Sequence, residues 1–176
     1  MNTPRFVMLA GAAALSVGAH AMELSPGGFF VQGGVAEHAT YIVTAGVVWP
    51  WSWRREIRNG ELTGITEAFI SHWSARGGDG RQSLTQLGLL PMLRYRGDRG
   101  RSDWFIEGGI GVSVMDQTYK GFSTRFNFID VIGVGRSFGP QQRRELSLRL
   151  SHESNGGIKK PNPGENLLQL RYAMMF

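Results

Sequence analysis

Glu145-Leu146-Ser147-Leu148-Arg149-Leu150-Ser151-His152-Glu153-Ser154 alternates without a break. In an extended chain Leu146, Leu148 and Leu150 share one face, and Glu145, Ser147, Arg149, Ser151 and Glu153 share the other. His152 and Ser154 continue the leucine face. A soluble protein would bury that face as core. If it meets lipid instead, the strand presents a hydroxyl and an imidazole to the membrane.

The 176-residue chain opens with Arg5, an apolar run from Phe6 to Val17, and the small-x-small triplet Ala19-His20-Ala21. The apolar run is short for a helical span, so residues 1–21 read as a secretory signal peptide. Residues 22–176 are then one domain. The chain has no Cys, which excludes disulfides, thiol chemistry and a lipid-modified N-terminal cysteine. Its net charge of +5 becomes +4 once Arg5 leaves with the leader. The charge gathers at Arg54-Arg55, Arg94 to Arg101, Arg143-Arg144 and Lys159-Lys160. For an exported protein, phosphate-bearing lipid headgroups are a better partner for these clusters than nucleic acid, and no nucleic-acid partner is expected.

After residue 21 no stretch is long and apolar enough to cross a membrane as a helix. Runs of roughly ten residues rich in Val, Ile, aromatics and Gly recur instead, separated by polar turns, the pattern of an antiparallel meander. Eight strands are predicted, at about 28–36, 39–51, 60–74, 83–96, 104–116, 127–138, 144–155 and 167–176. Turn signals fall at Gly77-Gly78-Asp79-Gly80, Gly97-Asp98-Arg99-Gly100 and Gly139-Pro140.

Face patterns favour a membrane barrel over a lipocalin-like soluble one, whose exterior would be polar. Tyr41, Val43, Ala45, Val47, Trp49 and Trp51 share a face, as do Leu168, Leu170, Tyr172, Met174 and Phe176. Trp49, Trp51, Trp104 and Phe176 suit an interfacial girdle. Glu107, Arg149, Glu153 and Arg171 fall on opposite faces, where a small lumen can pair them. The third and sixth strands alternate poorly, and Asp130 fits neither face cleanly. The fold class expected is therefore all-β, an eight-stranded antiparallel transmembrane barrel. Its terminal aromatic, Phe176, resembles the C-terminal signature that the outer-membrane assembly machinery reads.

With both termini periplasmic, odd-numbered strands run outward. His152 and Ser154 then sit near the outer leaflet, where lipopolysaccharide resides. Residues two apart on one face are about 6.6 Å apart along a strand, within reach of an imidazole leaning toward a hydroxyl. Such a histidine can take the serine proton during attack on an ester carbonyl, given a partner that fixes its tautomer. Glu153 points to the lumen by parity. Glu165, in the loop returning to the same barrel edge, is the expected acid.

The run His152-Glu153-Ser154-Asn155-Gly156-Gly157-Ile158-Lys159-Lys160-Pro161-Asn162-Pro163-Gly164-Glu165 resembles the signature of the lipid A 3-O-deacylase family, PagL. That family comprises eight-stranded outer-membrane barrels that hydrolyse the ester at position 3 of lipid A. The resemblance implies Ser154 as nucleophile, His152 as base and Glu165 as orienting acid. It also implies an oxyanion hole from the Gly157 backbone N–H and the Asn162 side chain. One departure is visible: in the family the acid can sit one residue further from the serine than Glu165 does here.

The chemistry so implied is a serine esterase acting on lipid A in the outer leaflet, with no cofactor and no metal. Other classes stay open: a non-catalytic barrel for adhesion or membrane integrity, or a phospholipase or acyltransferase barrel. Whether the barrel forms a homo-oligomer is also open. His38 and His72 lack a serine-and-acid setting and read as loop or strand-end residues.

Overall fold

In the computed structural model, residues 25–76, 80–118 and 122–176 are described. The leader expected at 1–21 and the turn residues 77–79 lie outside them. The alternation read from the sequence becomes eight strands: β1 (Gly28–Ala36), β2 (Thr40–Ile57), β3 (Gly60–Arg76), β4 (Arg81–Gly97), β5 (Trp104–Met115), β6 (Phe126–Phe138), β7 (Arg144–Ser154) and β8 (Glu165–Met175). Each pairs antiparallel with the next, and β8 pairs back to β1, closing the barrel. Closure gives every described strand a paired neighbour on both sides, the condition for a sheet surrounded by hydrocarbon.

Two departures from the expected bounds bear on the reading, while the other strands shift by at most two residues at an end. β2 runs to Ile57 instead of stopping near 51, because a bulge between Pro50 and Arg54 absorbs the proline and pairing resumes beyond it. β8 begins at Glu165, two residues early, because Glu165 still pairs with Glu153. His72 lies on the outer face of β3, exposed.

The outer wall is apolar: Val43, Ile70, Leu87, Ile106, Ile110 and Ile132 are all exposed large hydrophobes. Trp104 and Phe176 are exposed at the end that holds the chain terminus. Trp51 is tied down there, its ring against Gly64 and its Nε1–H donating to Thr66 Oγ1 at 2.9 Å.

The lumen is filled. Arg149 pairs with Glu67 and Glu107, each at 2.8 Å; Arg171 pairs with Glu67 and Glu145; Arg94 pairs with Glu107 and Glu145. Three guanidinium groups and three carboxylates thus compensate one another out of water. Glu153 stands outside this ring: Gln86 Nε2 donates to its Oε2 at 2.5 Å. An apolar cluster that includes Phe30, Leu90, Ile129 and Val131 fills more of the interior. A second, with Ile42, Trp73, Leu84 and Phe122, lies toward the loop-rich end. Inward Ile129 and Val131 explain the weak alternation of β6, whose inner and outer faces both carry apolar residues.

Candidate active site

β7 delivers the candidate nucleophile and base by parity alone. Leu146, Leu148 and Leu150 are 45%, 49% and 58% exposed on the outer wall, while Ser147, Arg149, Ser151 and Glu153 are buried inside. His152 and Ser154, half-buried, continue the outer row as the strand reaches its last turn of pleat. The register sets their neighbours. Asp130 of β6 lies directly opposite His152 on one side and Asn166 of β8 on the other. Phe128 lies opposite Ser154. Directly opposed residues of antiparallel strands share a face, so Asp130, His152 and Asn166 form one polar row on an apolar wall. Below it lies a groove of about 790 Å³, lined by Ile110, Ile132, Leu150 and Leu168 together with His152 and Asp130.

The imidazole is held from two sides. Its Nδ1–H donates to Asn166 Oδ1 at 2.9 Å, and Asn166 Nδ2 donates to Glu37 Oε1 at 2.9 Å. The opposite ring edge packs against Gly164, where a Cβ would lie 2.6 Å from Cε1 and 2.9 Å from Nε2. Gly164 also has φ +72, a left-handed conformation that suits glycine. With Nδ1 carrying the proton, Nε2 is left as a lone-pair acceptor.

The loop 155–164 is organised by Asn155, which is fully buried. Its Nδ2 donates to Lys159 O, its Oδ1 accepts from Gly157 N–H, and its own N–H donates to Asn162 Oδ1. Ser123, from the β5–β6 connection, donates to the carbonyls of Lys159 and Pro161 and ties the loop down from outside.

The expected site residues divide accordingly. His152 and Ser154 come together on the outer face, with no hydrogen bond between them; Ser154 Oγ accepts from Gly156 N–H at 3.5 Å. Gly157 and Asn162 lie in the adjacent loop, and both are engaged with Asn155. Glu165 is not brought to His152. It pairs with Glu153 across the β7–β8 ladder and is buried on the lumen side, 2% exposed. The residue on the imidazole's side of the sheet is the next one, Asn166, because a step of one residue changes face.

Comparison with known proteins bears on this arrangement. The family model described as lipid A 3-O-deacylase (PagL) matches residues 39–175. The chain belongs to the PagL family. A lipid A deacylase PagL of Bordetella bronchiseptica is 35% identical over 156 residues, covering 85% of this chain and 84% of that relative. A lipid A deacylase PagL of Pseudomonas aeruginosa is 34% identical over 132 residues, covering 72% and 73%. A crystal structure of the outer membrane enzyme PagL superposes with a TM-score of 0.74 at 27% identity, covering 85% of this chain and 99% of that one. The fold is thus the PagL outer-membrane barrel.

In this PagL-family barrel, four residues to which sequence reasoning gave no role shape the site. Asn155 stood inside the quoted motif, and a polar residue directly after the serine was the available signal. Gly164 carries only the general turn signal of a Pro-Gly pair. Asn166 required the exact start of β8. Glu37 had no signal at all, since it reaches Asn166 only after the barrel closes.

Proposed function

We propose that this chain is an outer-membrane esterase that removes the acyl chain at position 3 of lipid A. The observation that carries the reading is the placement of Ser154 and His152 on the outer, apolar face of β7, beside an apolar groove, in a chain of the PagL family. Ser154 Oγ attacks the ester carbonyl carbon while its proton passes to His152 Nε2. The tetrahedral intermediate expels the sugar oxygen, which takes that proton from the imidazolium. Water then adds to the acyl-serine, again giving its proton through His152, and the fatty acid leaves with Ser154 restored.

The oxyanion must be met by loop donors as charge develops. Gly156 N–H already reaches Ser154 Oγ, and Gly157 N–H and Asn162 lie in the same loop, so a modest shift about Asn155 supplies a second donor. Exposed Lys159 and Lys160 offer positive charge to lipid A phosphates. The site faces the outer leaflet, with the termini periplasmic and Phe176 read by the assembly machinery.

Mass spectra of lipid A from cells expressing each variant test the reading. Wild type should remove one hydroxyacyl chain. Ser154→Ala and His152→Ala should leave it in place while remaining heat-resistant barrels, a loss on the order of a thousandfold or more in rate. Normal deacylation by folded Ser154→Ala would overturn the mechanism. Gain of an acyl chain would favour an acyltransferase, and unchanged lipid A with wild type a non-catalytic barrel.

A further inference from the structure

We propose that Asn166 and Glu37 are positioning residues for His152, an amide–carboxylate relay in place of an acid that touches the ring. The proposal rests on the reading of His152 as the base. Hydrogen-bond polarity carries it. A carboxylate only accepts, so the Asn166 atom facing Glu37 Oε1 is the Nδ2 donor, which turns Oδ1 toward the imidazole. An amide oxygen only accepts, so the ring must present Nδ1–H, 2.9 Å away. Two links therefore select the one neutral tautomer whose Nε2 lone pair can receive the serine proton.

The relay also answers the charge that forms when His152 takes that proton. The Asn166 carbonyl dipole meets the imidazolium directly, and the Glu37 carboxylate lies one amide beyond. Asp130 of β6 adds a second carboxylate on the opposite flank of the row, and Lys159 and Lys160 are the opposing charges of the neighbouring loop. Bordered by an apolar wall, such dipoles act more strongly than in water. Glu165 is on the other side of the sheet and cannot reach the ring without breaking its pairing with Glu153.

The test is steady-state kinetics of the full-length folded barrel in detergent, with purified lipid A as substrate, across pH. Asn166→Ala should lower kcat about a hundredfold with KM little changed. Glu37→Gln keeps the geometry and removes the charge; it should lower kcat about tenfold. The exchanged pair Glu37→Gln with Asn166→Asp restores a donor facing an acceptor, and should recover most of the rate lost in Asn166→Ala. Wild-type kcat in both single variants, with Ser154→Ala inactive, would overturn the relay. So would loss of activity in folded Glu165→Gln with Asn166→Ala still active. Activity in folded Ser154→Ala would overturn the esterase reading itself.

Discussion

β7 carries two chemistries on its two faces, and they treat polar groups in opposite ways. On the inner face Arg149 is fully buried, yet its guanidinium meets Glu67 and Glu107 at 2.8 Å each. On the outer face, His152 and Ser154 follow three exposed leucines, and among the described residues Ser154 Oγ is engaged only by Gly156 N–H, at 3.5 Å. The inner guanidinium and carboxylate groups are committed to one another, out of reach of a substrate. The outer pair retains it: a hydroxyl weakly engaged and an imidazole nitrogen with a lone pair. One strand thus separates stability from reactivity by the two-residue period of its backbone.

The largest expected effect tests the inner face. Arg149→Leu leaves Glu67 and Glu107 with less compensation in the lumen, and should cost about 3–5 kcal/mol of stability. Heat- or urea-induced loss of the compact form on gels measures this. A wild-type unfolding midpoint would mean that the lumen ion pairs do not hold the barrel. A smaller effect, of opposite kind, is expected on the outer face. Gly164→Ala pushes a methyl group into the His152 ring at a left-handed φ, and should lower the deacylation rate about tenfold to a hundredfold while costing only about 1–2 kcal/mol of stability. Equal losses in stability and rate would erase the division between faces. The smallest effect expected is none: deacylation in detergent should survive EDTA, because serine, histidine and loop donors close the chemistry. A strict calcium requirement would point to phospholipase chemistry instead.

Much of the fold was legible because a period of two is hard to mimic. The leucines at 146, 148 and 150 locate the outer wall, and the same parity carries forward to His152 and Ser154. Other parts were not legible for physical reasons. The extension of β2 beyond residue 51 was not, since a bulge that rejoins the ladder depends on the partner strand. Ion-pair partners in the lumen depend on which strands face each other across it, so Glu153 was grouped with arginines and in fact meets Gln86. Glu165, the expected acid, falls on the lumen face, one residue from the outer-face Asn166 that meets His152. An error of two in the start of β8 is ordinary for strand boundaries, but the choice between Glu165 and Asn166 is a choice between lumen and membrane.

The bond between Asn166 and Glu37 spans the seam where the last strand of the chain meets the first. Glu37 follows β1 and Asn166 is the second residue of β8, 129 residues apart, so in a sheet still open at this seam the two lie at opposite edges. A chain still in transit, with that seam open, has its serine and histidine on β7 but an imidazole free to turn. Under the proposed relay, the histidine gains its orientation only with the final zippering of the sheet, which ties the proposed activity to completion of the barrel.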